Sequence, residues 1–505
     1  MSAPTPPKPS YDELAALVVR LDAALESTRR ELADTRAALD KANARIADLE
    51  ARLGLNSGNS SKPPSSDGLA KPSPKSLRKS GQRRPGRPKG TPGATLMQVD
   101  RPDRRERHEP ERCRGCGHDL AGAPEAGMEK RQVFDIPPVT VEVIEHQLIE
   151  RLCACGVVTR GSAPQGVTAP VQYGSRITAI IVYLYIGQFL SKDRTAKALE
   201  DLFGVPISGA SVLTAAKRAA GRLDGFLARA CEEIAAAPIA HFDETGFRVD
   251  GRLHWVHSAS TGKWSLITVH RKRGTEAMDA AGVLPGFAGV AIHDAWAPYD
   301  TYTSATHALC NSHLLRELQQ VIDTAPGGQW CWAEQAAVAL CEMKTLVEAA
   351  LKAGGLKHLD QVALAEQVRL WRSAALVGKN DTAARSGMLM KKHNALATRM
   401  LARHDDYLRF TRDERVPFDN NAAEREIRMI KLRQKVSGCL RTLAGAEQFC
   451  AIRSYLATVR KHGVDFFHAL VELAEGRPWL PAIPGLTLLD GLRAPADNSA
   501  LPAAT

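Results

Sequence analysis

The sequence predicts a multidomain α+β protein: an N-terminal coiled coil, a cysteine-bearing β-hairpin module, a helix-turn-helix-like helical region, and an α/β core that carries a helical insertion. Three observations lead there. Leucines recur every seven residues near the N-terminus, two cysteine pairs flank a β-branched run, and the apolar period changes from helical to alternating at residue 239. A chain of 505 residues has room for roughly three domains. Its 44% hydrophobic and 24% charged content excludes wholesale disorder. No apolar run reaches the roughly 18 residues that a bilayer demands, because Gly187 and Gln188 interrupt the longest, at 177–190. MSAPTPPKPSYDEL lacks a signal-peptide apolar region, so a cytoplasmic protein without membrane contact is expected. In that reducing compartment ten cysteines are thiols or metal ligands rather than a disulfide scaffold.

Residues 1–54 form the first element. Leu25, Leu32, Leu39, Ile46 and Leu53 are spaced by sevens, as are Leu14 and Leu21, and charged residues fill the opposite faces. That period predicts a coiled coil and hence a homo-oligomer, with a helix packed on its own protein as the alternative. Thr28, Thr35 and Ala42 weaken the intervening core positions. A basic linker follows over 55–112. Between 55 and 99 it holds nine bases against one acid, net +8 of the chain's +11. Pro, Gly and Ser make up 21 of those 45 residues, too few apolar groups for a packed core. A concentrated basic stretch points to nucleic acid as partner. Arg84 and Arg87, in RRPGRPK, resemble an AT-hook for the minor groove; a solvated tether is the plainer reading.

The next module, 113–170, carries Cys113-x-x-Cys116 and Cys153-x-Cys155. RQVFDIPPVTVEVIEHQLIER between them alternates, so a hairpin is expected to bring the knuckles together around a structural Zn²⁺. C-x-C is shorter than the common C-x-x-C, which leaves His118 as a competing ligand. Residues 171–238 read as helices. A break at Gly204-Val205-Pro206 precedes a helix capped by Ser208, and Lys217, Arg218 and Arg222 are placed on it to meet DNA phosphates.

From 239 the pattern is strand-like. Ile239–Val249, the Asp250-Gly251 turn, Leu253–Ser258, Trp264–His270, a helix at Thr275–Ala281 and a buried strand at 289–292 follow in order. Three antiparallel strands, a helix and a further strand open a ribonuclease-H-like sheet, in which the first and fourth strands are neighbours. Asp243 then lies on the first strand and Asp294 ends the fourth. Displacement at a phosphodiester needs two Mg²⁺ roughly 3.5–4 Å apart, held by carboxylate oxygens. A later helix, in FDNNAAEREIRMIK, supplies a third in Glu424, with Asn420 or Asn421 as cap and Ala423, Ile427 and Ile430 as buried stripe. Arg428 and Lys431 share the face of Glu424 and suit the phosphate backbone. His254, His257, His270 and His293 read as strand packing, and Trp255 and Trp264 as core.

HFDETGFRVDGRLHWVHSAST, IHDAWAPYD, HALCNSHLLREL and VPFDNNAAEREIRMIKLRQKVSG closely resemble the transposases of the insertion sequence 66 family, within the DDE superfamily. GLNSGNSSKPPSSD and the leucine-rich helix resemble that family's N-terminal region, and the cysteine knuckles its zinc-binding domain. The resemblance implies that Asp243, Asp294 and Glu424 are a catalytic metal-binding triad for two Mg²⁺, with Mn²⁺ as a substitute. It matches Lys431 to a basic residue seven positions after the Glu. It implies cleavage at element ends, attack of the freed 3′-OH on target DNA, accessory proteins of the same element, and a place at the bacterial nucleoid. Cys310-x-x-His313 resembles a string between the second Asp and the Glu of many DDE enzymes. It is read as structural or DNA-facing, with a second zinc shared with His307 as the alternative.

Glu426 is a rival third carboxylate. The 129 residues between Asp294 and Glu424 imply a helical insertion at about 314–415 within a catalytic domain of 239–440. Helices at 441–474 that support the catalytic helix, and a Pro- and Ala-rich tail at 475–505, complete the chain. Two other classes stay open: a DNA-binding regulator without catalysis, and a nuclease that cuts without joining.

Overall fold

A computed structural model describes residues 10–60, 96–325, 329–383, 385 and 387–482. It divides into two compact units: a larger one from the described parts of 1–77, 173–191 and 213–479, and a smaller one from those of 78–172, 192–212 and 480–505. In the larger unit the leucine heptads form one helix, α1 (Tyr11–Leu53), opened by a capping box between Ser10 and Glu13. Its stripe is uncovered: Leu25, Leu32, Leu39 and Ile46 are 49–68% exposed. Only its last turns pack, with Asp48 and Ala51 buried and Asn59 beyond it donating to Asp323. The alternative of a stripe buried on the same chain therefore fails among the described residues.

In the smaller unit the expected hairpin is displaced. Strands β1 (Glu150–Leu152) and β2 (Val158–Arg160) pair antiparallel, Glu150 opposite Arg160, and enclose the second cysteine knuckle rather than joining the two knuckles. The run before β1 makes no ladder. Pro137 and Pro138 remove two donors at its centre, and a lone two-stranded ribbon gains too little burial to overcome that.

The helical region consists of α2 (Ser175–Val182), extended by a π turn to Gly187, α3 (Lys192–Phe203), α4 (Gly209–Ala220) and α5 (Asp224–Ala235). α3 stops at Gly204, whose φ of 63° is open to glycine at no steric cost, and Ser208 Oγ caps α4 by accepting the Ser211 N–H.

The core sheet follows the expected order and adds a strand. β3 (Ile239–Val249), β4 (Arg252–Ser260) and β5 (Ser265–His270) form an antiparallel meander. Asp250 and Gly251 turn between the first two with φ of 49° and 71°. After α6 (Thr275–Ala280), β6 (Val290–His293) runs parallel to β3, and β7 (Thr306–Leu309) parallel to β6, for an order β5-β4-β3-β6-β7. Helices α7 (Asn311–Asp323), α8 (Trp332–Lys352), α9 (Gln361–Ala383), α10 (Met388–Ala402) and α11 (His404–Tyr407) fill the expected insertion. Their core is built on Trp332, Leu340, Met343, Trp371 and Tyr407. α8 and α9 approach closely because Gly378 leaves room for the Trp332 ring; a Cβ there would lie 2.4 Å from it.

α12 (Asn421–Ser437) lies along β3, with Ala423, Ile427 and Ile430 buried as expected. α13 (Leu443–Lys461) and α14 (Phe466–Glu475) close the described chain. α13 does not chiefly brace α12. It covers the outer edge of β5, where Ser454 and Thr458 hydroxyls accept the N–H groups of Ile267 and Ser265 at 2.8 and 3.1 Å. An open sheet edge is thereby satisfied.

Candidate active site

Strand register sets the site. Ile239 pairs with Val290 and His241 with Ile292, so two residues further along Asp243 is level with Asp294. β6 pairs His293 with Leu309, so one residue further along Cys310 lies beside Asp294. Three adjacent strands thus present Asp, Asp and Cys in one row. Beyond β6 the chain turns sharply at Ala295, whose φ of 69° is costly for a residue with a Cβ, and Asp294 Oδ1 accepts the Trp296 N–H at 3.0 Å.

α12 follows β3 in parallel. Near its start, Asn420 Oδ1 meets His241 Nδ1 at 2.8 Å, and three turns later Lys431 Nζ donates to Gly246 O at 2.5 Å. Glu424, one turn in, is thereby carried over Asp243. Asn420 sits at the N-cap position, but its side chain caps nothing. Its Nδ2 donates to Phe242 O at 2.7 Å and its N–H donates to Cys310 Sγ at 3.2 Å. Asp419 Oδ1 instead accepts the Asn421 N–H. One buried amide ties the strand of Asp243, the turn at Cys310 and the helix of Glu424.

Electrostatics distinguish the acids. Burial holds the Asp243 carboxyl well above the usual carboxylate range, and the negative charges of Glu244, Asp294 and Glu424 push it the same way. Glu424 pairs with Arg428 (3.1 Å) and Arg316 (3.4 Å), with His313 Nδ1 at 3.8 Å. Asp243 and Asp294, by contrast, have only backbone N–H partners among the described residues. Uncompensated carboxylates in one row fit a divalent cation better than any side chain supplied here. The rival Glu426 turns away, 3.4 Å from Ser265 Oγ and close enough to Arg453 and Lys461 to act on both.

The other expected contacts divide. Arg428 is exposed beside Glu424, Lys431 is half-buried on Gly246, and Lys217 and Arg218 are exposed on α4. Arg222 lies past the end of α4 and donates to the carbonyls of Leu473 and Ala474, closing the C-terminus of α14, so it is not free for phosphate. Arg84 and Arg87 lie outside the described residues. Each cysteine knuckle is a turn closed by a left-handed glycine, Gly117 (φ 76°) or Gly156 (φ 87°). Backbone N–H groups of Cys116 and Gly115 lower the Cys113 thiol, and that of Cys155 lowers Cys153, which suits thiolate ligands. Among the described residues no three of Cys113, Cys116, Cys153 and Cys155 have their sulfurs within 4.8 Å of one another.

Sequence reasoning missed several neighbours. Arg273 pairs with buried Glu244 at 2.6 Å and lies between the rings of Trp255 (4.8 Å) and Trp296 (3.9 Å), while Tyr299 Oη donates to Glu244 at 2.7 Å. Arg316 was also missed, although His313 and Arg316 at i and i+3 on α7 offered the signal. His293 stacks on Tyr299 and His254 meets Arg252 O, as expected of packing histidines.

Among known families, the profile described as "Transposase IS66 family" matches residues 170–448, more than half of the chain. "Zinc-finger binding domain of transposase IS66" matches 110–156, and a "family of unknown function (DUF6444)" matches 1–97. No curated protein matches the sequence. The zinc-finger match covers both knuckles, and the transposase match covers the row of acids and the helix above it. The chain belongs to the IS66 family of transposases.

Proposed function

We propose that this transposase cuts and joins DNA at the ends of an insertion sequence through a DDE triad of Asp243, Asp294 and Glu424 on a ribonuclease-H-like core. The observation that carries the reading is Asp243, half-buried, lacking a basic partner among the described residues, and within the negative fields of Asp294 and Glu424. The donor set is all hard oxygen at these three positions, which suits Mg²⁺, with Mn²⁺ as a substitute. When bound, a pair of such ions supplies the Lewis acidity that phosphodiester displacement requires. The chain's own residues do the rest. β3 and β6 hold two carboxylates in register, Asn420 fixes the helix that brings the third, and Arg428 and Lys431 extend the same face as phosphate contacts. The freed 3′-OH then attacks target DNA in the same pocket, so no covalent enzyme–DNA bond is needed.

The remaining parts follow the same logic. Cys113, Cys116, Cys153 and Cys155 are proposed as ligands of a structural Zn²⁺, supported by the zinc-finger match and by the paired turns. The uncovered leucine stripe of α1 supports self-association as a coiled coil. Lys217 and Arg218, and beyond the described residues Arg84 and Arg87, extend the DNA contact. Accessory proteins of the element and the bacterial nucleoid in the cytoplasm complete the setting. Among the described residues no helix is long and apolar enough to cross a membrane.

The test is a gel assay with Mg²⁺, labelled element ends and a target plasmid. Wild type is expected to give joined products. Asp243→Asn, Asp294→Asn and Glu424→Gln should keep end binding and lose cleavage by about a thousandfold or more. Binding without cutting by the wild type would overturn the catalytic reading, and cutting without joining would make the protein a nuclease.

A further inference from the structure

Two clusters of ligand-type side chains lie outside the triad as read above. His293, Asp300 and His307 are close together, but the two imidazoles bond each other at 3.0 Å and Arg403 takes Asp300 at 2.7 Å, so that cluster is internally satisfied. The second is not. Cys310 Sγ, a His313 ring nitrogen and a Glu424 oxygen all lie within 4.8 Å of one another, where α7 meets the first turn of α12. His313 Nδ1 is buried and has no hydrogen-bond partner among the described residues. It stands 3.8 Å from Glu424 Oε1, too far to bond it. Two ligands of one ion with bonds of about 2.1 Å are separated by a distance of that order. Cys310 Sγ already accepts the Asn420 N–H, so the imidazole is the group left to fill. Asp294 also acts on His313 electrostatically, so two of the three acids bear on the ring.

The geometry points to His313 Nδ1 as a direct ligand of the divalent ion that Glu424 holds, giving one ion of the pair a nitrogen donor and the other oxygen donors only. The inference rests on the carboxylate triad being a metal site. Its chemical consequence is selectivity. Imidazole suits Mn²⁺ and Zn²⁺ better than Mg²⁺, so the Glu424 ion should discriminate between them while an all-oxygen site should not do so to the same degree. Arg316 and Arg428, which hold Glu424 in the ion-free protein, would then be released toward DNA phosphate.

The experiment is pulsed paramagnetic resonance and Mn²⁺ titration of the full chain, loaded with its zinc and without DNA. The wild type is expected to show ¹⁴N coupling to bound Mn²⁺. His313→Gln should lose that coupling and bind Mn²⁺ about tenfold or more weakly, with a smaller loss for Mg²⁺. Glu424→Gln should lose the same ion. Circular dichroism melting confirms that each variant is folded, and the wild-type spectrum answers independently of any variant. Mn²⁺ bound in a manner sensitive to Asp243→Asn and Glu424→Gln but without ¹⁴N coupling would overturn the assignment and leave the triad intact. So would a coupling that survives His313→Gln. No Mn²⁺ binding sensitive to the three acids would overturn the triad, and this assignment with it.

Discussion

The two faces of β3 carry adjacent acids with opposite fates. Glu244 points to one side, where Arg273 and Tyr299 satisfy it and two tryptophans hold the arginine. Asp243 points to the other, under α12, where its surroundings are mostly negative and its one hydrogen-bond partner among the described residues is the Glu244 N–H. Both carboxyls are raised by burial. The difference is compensation: Arg273 and Tyr299 pull Glu244 back, whereas among the described residues Asp243 has only a backbone N–H to do so. A buried acid whose charge is balanced within the fold has a structural explanation. One whose charge is left unbalanced asks for a cation from outside, and that is the functional signal.

The sharpest way to test the contrast is to neutralise the two acids separately. Asp243→Asn should abolish cleavage and yet raise the melting temperature of the ion-free protein at pH 8. The sign follows from linkage. Asp243 binds its proton more tightly folded than unfolded, so stability falls as pH rises from the unfolded carboxylate value through the folded one, and the deficit persists above it. The variant should flatten that acid-side slope and lose the stabilisation that Mg²⁺ or Mn²⁺ gives the wild type. Melting curves against pH, with and without ion, decide it. An ion-free Asp243→Asn less stable than wild type at pH 8 would mean that Asp243 is compensated after all.

A second effect is smaller and lies on the opposite face. Arg273→Ala leaves Glu244 buried with Tyr299 alone. Removing one partner of a buried pair costs about 3–5 kcal/mol, and because Arg273 is 37% exposed a discounted loss of about 2–3 kcal/mol is expected. Cleavage per folded molecule should change only a few-fold. Urea unfolding beside a single-turnover assay separates the two, and a thousandfold loss of activity in a stably folded Arg273→Ala would erase the distinction between the faces.

How far this was legible in the sequence depends on range. β3, its Asp-Gly turn and the buried stripe of α12 are local patterns, and the structure returns them at nearly the expected residues. β7 is four residues long with an exposed first position, too short for alternation to register. The hairpin expected between the knuckles failed because alternation says nothing about a partner strand, and Pro137-Pro138 denies it one. Asn420, with Asn421 as the alternative, is expected as a cap, since Asn before a helix usually is. Its actual partners, Phe242 and Cys310, are more than a hundred residues away in the chain. Arg273 and Arg316 were missed for the same reason. The acids proposed for the site each stand in a recognisable local setting, whereas the residues that position or compensate them are defined by contacts between distant segments.

The smallest effect concerns the acid nearest to Glu424. Glu426 is two residues on and therefore on another side of α12, at Ser265 Oγ, where it favours the charged forms of Arg453 and Lys461. Burial lowers Lys461 to about 8, and its Nζ donates to the carbonyls of Thr261 and Trp264 at 2.9 Å. Glu426→Gln removes a counter-charge from this group and should lower the Lys461 value further. Because Lys461 is lower folded than unfolded, its contribution to stability is fully present above the unfolded lysine value and is lost as pH falls through the folded one. The variant should therefore be less stable than wild type by about 1 kcal/mol at pH 7, where Lys461 is charged, and the gap should narrow toward pH 10, where only the loss at the still-charged Arg453 remains. Cleavage should stay within a few-fold, since Glu426 is turned to Ser265 on another side of α12 from Glu424. Denaturant midpoints at both pH values, with the cleavage assay alongside, test this. If Glu426→Gln abolished cleavage while Glu424→Gln did not, the side of α12 that faces β5, rather than the side above Asp243, would hold the third carboxylate.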